Sequence, residues 1–113
     1  MSSRDLAFLA DMRLNARYAL EFAASLTADE FIEDRRTNYA VVRCLAIIGE
    51  AANKVSPAVR SELPQLEWEG MIKLRHIVVH DYGRVDLKEV WTIVNRDLPP
   101  LVEQLTGYLA RFP

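Results

Sequence analysis

The segment KLRHIVVHDYGRVD, residues 73–86, holds nearly all the side chains of this chain that could do chemistry near neutral pH. It contains the only two histidines of the sequence, His76 and His80, and imidazole takes and gives protons with an unperturbed pKa of about 6.5. Arg75 adds a permanent charge and a planar fork of donors that matches phosphate oxygens. An arginine and a histidine are the minimum set for cleaving RNA without a metal, because one moves a proton while the other stabilises charge on phosphorus.

The spacing of Arg75 and His80 limits how they could act together. On a continuous helix the two side chains diverge, since five residues turn by about 140° around the axis. They converge if the helix ends near Val79, so that His80 enters the next turn, or if a second protomer completes the site across a two-fold axis. Asp81-Tyr82-Gly83 is typical of a turn, and the two solutions are compatible.

Residue types alone also allow a structural role for this segment. A histidine is favoured near a helix C-terminus, an arginine commonly pairs with a carboxylate, and a tyrosine often packs beneath a turn. His76 and His80 have the i, i+4 spacing of a zinc pair, but no glutamate lies between them and no third ligand is evident. We therefore expect no metal and no other cofactor.

Composition indicates a single all-α domain over residues 1–113. Half of the residues are hydrophobic and the formal charge is −2, which disfavours disorder and a general nucleic-acid binder. Between residues 73 and 84, however, three basic side chains accompany one acidic side chain, which suits a short RNA segment or a nucleotide phosphate. The sequence contains no run of about 18 apolar residues, so no membrane span is predicted. Cys44 has no partner cysteine, so we expect it buried in a cytoplasmic protein.

Apolar spacing predicts an up-and-down bundle of four to five helices that positions this segment. The first helix is expected from about Ser3 to Ala24, and TADE at 27–30 has the pattern of a capping box before a short second helix. The third helix has a seam of apolar residues at Val41, Leu45, Ile48, Ala52 and Val55. Ser56-Pro57 ends it, and a further helix from LEWEGM is expected to continue toward Val79. The last, at about 86–109, should kink or restart near Leu98 because prolines follow.

Arg75, His80 and Tyr82 match the R-x4-H-x-Y motif of the HEPN superfamily, and the chain resembles its HepT-like toxin branch. IIGEAANKVSP at 47–57 and YGRVDLKEVWTIVNRDLPPLVEQL at 82–105 are similar to two further stretches of that branch. The resemblance implies a homodimeric helical bundle that acts as a metal-independent ribonuclease. Arg75 would clamp phosphate and His80 would transfer protons, with both protomers contributing to one cleft.

The resemblance also implies a partner and a control point. Such toxins are paired with a minimal nucleotidyltransferase antitoxin of the MntA type, which in some systems adenylylates the motif tyrosine, here Tyr82. Added AMP would bring bulk and negative charge beside Arg75 and so repel RNA. The chain departs from the family in having His76 where asparagine is common, and we expect His76 to support the site.

Three flanking residues are weaker site candidates. Asp81 and Arg84 fit a turn or surface role better than an active one. Glu50 is expected to form a helix-surface pair with Lys54, or else to orient Arg75 or an imidazole across the bundle. Two competing functions also stay open, namely a non-catalytic module that binds a nucleotide or the nucleotidyltransferase, and a structural oligomerisation domain.

Overall fold

The chain is all-α in the computed structural model, which describes residues 1–76 and 85–113. The α-helices of this described part are α1 Ser3–Ala23, α2 Ala28–Glu33, α3 Arg35–Lys54, α4 Pro57–Glu62, α5 Trp68–Lys73, α6 Leu87–Arg96 and α7 Leu98–Leu109. A 3-10 turn, Leu74–His76, follows α5 directly. Within these ranges no strand is present and no helix is long and apolar enough to cross a membrane.

The bundle is built around α3, which lies between α1 and the segment formed by α5 and the 3-10 turn. Every residue of the predicted α3 seam is buried, with at most 2% of its surface exposed: Val41, Leu45, Ile48, Ala52 and Val55. On its other side α1 packs against α7. The predicted all-α bundle is confirmed, and the short helix α4 and the division of the last helix raise the number of α-helices in the described residues above the expected four to five.

A buried carboxylate joins the start of α1 to the end of α3. Asp5 Oδ1 accepts a hydrogen bond from Ser56 N, and Asp5 Oδ2 accepts one from Ser56 Oγ, both at 2.9 Å. The bond from the Ser56 backbone holds the pKa of Asp5 below its ordinary value of 3.8, and the hydroxyl bonds of Ser56 and Ser2 act in the same direction against the effect of burial. The contact holds the start of α1 beside the end of α3, so the two helices run antiparallel. Ser56 also caps α4.

Several helix ends fall where the sequence predicts them. The capping box before α2 is present, with Glu30 N donating to Thr27 Oγ1 at 3.2 Å and Thr27 N donating to Glu30 Oε1 at 2.9 Å. Pro57 occupies the first turn of α4, where a missing N–H costs nothing. The last helix breaks at Asp97 and restarts at Leu98, because the prolines that follow suit only the first turn of a new helix.

The helix before the predicted site ends earlier than the sequence predicts. We expected one helix from about Trp68 toward Val79, but the α-helix stops at Lys73 and tightens into the 3-10 turn of Leu74–His76. Val79 and the predicted turn at 81–83 lie outside the described residues. The backbone of this 3-10 turn packs directly against a glycine of α3.

Candidate active site around Arg75

The described residues include three of the seven predicted site residues. Arg75 and His76 end the 3-10 turn after α5, and Glu50 lies on α3 beside it. The other four, His80, Asp81, Tyr82 and Arg84, lie outside the described residues, so their places in the site stay predictions. The geometry that follows therefore concerns the arginine half of the predicted motif.

Gly49 of α3 sets how closely the Arg75 turn approaches the core. A Cβ built on Gly49 would overlap the backbone N of Arg75 and lie 2.8 Å from Met71 O and 3.0 Å from the carbonyl carbon of Leu74. Real Cβ atoms essentially never approach other heavy atoms more closely than 3.0 Å. Only glycine thus allows the α5 backbone to lie directly on α3, and this contact fixes where the main chain of Arg75 lies.

The guanidinium of Arg75 and the imidazole of His76 contact each other at the end of this turn. Arg75 Nε donates a hydrogen bond to His76 Nε2 at 3.4 Å. Arg75 is half-buried and His76 is exposed. The contact places the imidazole of His76 beside a permanent positive charge. An imidazole and a planar fork of donors suited to phosphate thus lie together at one surface position.

Glu50 forms the helix-surface pair with Lys54. Glu50 Oε1 lies 3.6 Å from Lys54 Nζ, and both side chains are about half exposed. Lys54 Nζ also lies 5.7 Å from the centre of the Phe8 ring. The carboxylate of Glu50 is therefore balanced by a cation of its own helix at the level of α3 where the Arg75 turn packs.

A groove of about 480 Å³ lies between α5, α6 and α7, behind the Arg75 turn. Its walls are mainly apolar and include Met71, Leu74, Ile93 and Leu101. Gln104 also lines the groove, and its Oε1 is buried with no hydrogen-bond partner in the described part of the chain. Leu74, the residue before Arg75, thus lines the groove.

Two expectations about metals and thiols concern residues near this site. Within residues 1–76 and 85–113, no group of three or more His, Cys, Asp or Glu side chains is arranged to hold a metal ion. The pairing of His76 with His80 stays outside that search. Cys44 is 5% exposed, as expected, and burial raises the pKa of its thiol. Cys44 is thus a core residue of α3 without a thiolate at neutral pH.

Sequence reasoning missed Gly49 as a positioning residue. The signal was present, because Gly49 interrupts the apolar run of a long helix at a cost of about 1 kcal/mol relative to alanine. A glycine there indicates that another backbone approaches closely. The sequence does not say which backbone approaches, so the contact between Gly49 and the backbone of Arg75 could be identified only from the fold.

Comparisons with known proteins place this chain among ribonuclease-like sequences. A family model described as "Ribonuclease HepT-like" matches residues 12–106. A Methanocaldococcus jannaschii protein named "Putative RNase" is 37% identical over 93% of this chain and 97% of its own length, and a second one from that organism is 33% identical over 93% and 88%. A Thermococcus cleftensis protein named "Probable ribonuclease HepT" is 33% identical over 72% of this chain and 74% of its own length. No solved structure matches the chain significantly.

Proposed function

Because the chain belongs to the ribonuclease HepT-like family, we propose that it is a metal-independent endoribonuclease and the toxin of a toxin–antitoxin pair. One observation of this structure carries the proposal: Arg75, the first residue of the R-x4-H-x-Y motif, is held on α3 by Gly49 with an imidazole against its guanidinium. A rigid anchor for a phosphate-binding side chain is what electrostatic catalysis needs, since misplacement by about 1 Å can cost 10²-fold in rate. The proposed site of action is the cytoplasm.

The proposed reaction uses the ribose 2′-hydroxyl as nucleophile. Its oxygen forms a bond to the adjacent phosphorus while the bond from phosphorus to the 5′-oxygen breaks, which yields a 2′,3′-cyclic phosphate and a 5′-hydroxyl. His80 moves one of the two protons, either from the 2′-hydroxyl or to the leaving 5′-oxygen, and solvent water takes or supplies the other. Arg75 binds the phosphoryl oxygens and stabilises the charge that they gain in the transition state. His76 supports the site through its contact with Arg75.

The active form we propose is a homodimer in which Arg75 and His80 of both protomers share one cleft. A two-fold axis brings together residues that diverge on one helix. The proposed partner is a minimal nucleotidyltransferase antitoxin that transfers AMP to Tyr82. Because AMP adds negative charge and bulk near Arg75, the modified cleft would repel RNA phosphate.

Cleavage of RNA in excess EDTA tests the enzymatic proposal. We expect purified protein to produce fragments with 2′,3′-cyclic phosphate ends, and His80→Ala and Arg75→Gln to abolish cleavage while leaving helicity by circular dichroism unchanged. Ser61→Ala, an exposed change in α4, is the control for handling and contamination and should cleave at the wild-type rate. Loss of folding in His80→Ala would instead favour a structural role. A folded wild-type dimer with no cleavage would favour the non-catalytic binding module.

The intact mass of protein co-expressed with a minimal nucleotidyltransferase from a neighbouring gene, where one is present, tests the proposed switch. Additions in AMP units that map to Tyr82, and that disappear in Tyr82→Phe, would support it. An unmodified Tyr82 in a stable, inactive complex would refute modification and indicate that the antitoxin only shields the cleft.

A further inference from the structure

The exposed side of the first half of α3 carries a strip of cations around an aromatic ring, formed by Arg35, Arg36, Tyr39 and Arg43. Arg35, Tyr39 and Arg43 follow one another at intervals of four residues, and Arg36, seven before Arg43, points within about 20° of Arg43. The four side chains therefore span about 100° of the helix surface. All four are exposed. Tyr39, at 72%, is the most exposed large hydrophobic side chain of the described residues.

The α3 strip is an electropositive region in an acidic chain. Across Arg35–Lys54, four basic side chains accompany one acidic side chain, Glu50, whereas the whole chain has a net charge of −2. Glu50 is paired with Lys54, and none of the strip arginines has a carboxylate within ion-pair distance in the described part of the chain. Asp34, just before the strip, accepts hydrogen bonds from Thr37 N and Oγ1. The positive charge of the strip arginines is therefore not neutralised by ion pairs within the described residues and can attract an anionic ligand.

The strip lies on the same helix as Gly49, but Gly49 points about 120° away from Arg43 around the axis, so a strand bound at both the strip and Arg75 must curve around α3. Gly49, which contacts the backbone of Arg75, follows Arg43 by six residues and Arg36 by thirteen, or about 9 Å and 20 Å along the axis at 1.5 Å per residue. A stacked strand rises by about 3.4 Å per nucleotide, so 20 Å corresponds to about six nucleotides. A dinucleotide bound at Arg75 could not reach the far end of the strip, whereas a longer RNA could.

We propose that the α3 strip binds single-stranded RNA next to the cleavage site, with the arginines on phosphates and Tyr39 stacked on a base. This inference rests on the proposed ribonuclease function and adds the length and form of the substrate to it. Cations interleaved with an exposed aromatic ring are how proteins hold single strands without reading sequence. An acidic protein could use the same arginines and tyrosine, which are common at protein interfaces, but RNA is favoured here because it is also the proposed substrate of the site anchored on the same helix.

Binding of a 12-nucleotide RNA with 2′-O-methyl groups, which cannot supply the attacking hydroxyl, tests the strip directly. Fluorescence anisotropy should show that Arg36→Gln/Arg43→Gln weakens binding and lowers the slope of log Kd against log salt by about 1.4, since each single-strand phosphate contact contributes about 0.7. Tyr39→Ala should weaken binding roughly tenfold with little change of slope. Arg17→Gln/Arg111→Gln removes two exposed cations elsewhere and should match wild type.

Cleavage then separates this inference from the proposed function. We expect Arg36→Gln/Arg43→Gln to cleave a dinucleotide at the wild-type rate and a 12-nucleotide RNA with a raised KM. Equal affinity and slope for this variant and its control would overturn the inference. A change in its molar mass by light scattering would also overturn it and would identify the strip as a subunit interface. If wild type cleaves neither substrate while binding still depends on the strip, the ribonuclease proposal fails and the RNA-binding surface remains.

Discussion

Replacement of Gly49 by alanine tests whether close packing of α5 on α3 positions Arg75. The new Cβ would lie 2.8 Å from Met71 O and 3.0 Å from the Leu74 carbonyl carbon, and it would overlap the Arg75 backbone. These are main-chain atoms, which cannot rotate away as a side chain would, so the turn must move by several tenths of an ångström. Overpacking of this kind costs about 1–3 kcal/mol, against a gain in helix propensity of about 1 kcal/mol.

Gly107→Ala is the matched control, because a Cβ at Gly107 of α7 meets nothing within 4 Å. It keeps the propensity gain and has no clash, so the difference between the two variants in free energy of unfolding isolates the clash. By urea denaturation we expect Gly49→Ala to be less stable than Gly107→Ala by about 1–3 kcal/mol. In the EDTA cleavage assay Gly49→Ala should lose roughly 10- to 100-fold in rate, and Gly107→Ala nothing. Equal stability and equal rates would refute the reasoning.

Three further outcomes are expected. Asp5→Asn should lower the free energy of unfolding at pH 7 by about 1–2 kcal/mol, since it weakens the hydrogen bonds from Ser56. The pKa of Asp5 in the folded protein lies below 3.8, so the stability difference from wild type should persist above pH 3.8 and shrink as the pH falls through the folded-state pKa, which urea titrations at several pH values would show. Tyr108→Phe removes a 2.7 Å hydrogen bond to Glu62 Oε2 and should lower the free energy of unfolding by about 1 kcal/mol. Burial and that bond raise the pKa of Tyr108 from 10 to about 12, so the bond stabilises the protein fully below pH 10 and no longer as the pH approaches 12; ultraviolet titration would detect the raised pKa. Arg75→Lys keeps the charge but loses the fork and should reduce cleavage roughly 10²- to 10³-fold.

Local signals of the sequence predict the helices well. Thr27 and Glu30 have the residue types and spacing that satisfy free N–H groups at a helix start, and both predicted bonds are present. The α3 seam is predictable because a period of 3.6 residues is maintained over four turns. The restart at Leu98 is predictable because Pro99 and Pro100 disrupt a helix interior and are tolerated in the first turn of a new helix. Each of these features depends on residues within a few positions of one another.

Contacts between distant segments were not predictable in the same way. Asp5 and Ser56 are 51 residues apart, and Asp5 reads in the sequence as an ordinary exposed charge of a first turn. The close packing of α5 and its 3-10 turn on α3 depends on Gly49, whose partner only the fold identifies. The motif identified Arg75 but could not place it, and the approach of His80 to Arg75 stays a prediction.

The contact between Asp5 and Ser56 has a consequence for the order of folding during synthesis. It closes the antiparallel pair of α1 and α3 within the first 56 residues, so this pair can form while later residues are still being added at the ribosome. Helix α7 then covers the opposite side of α1. The segment with Arg75 leaves the ribosome after α3, so Gly49, against which its backbone packs, is synthesised before it.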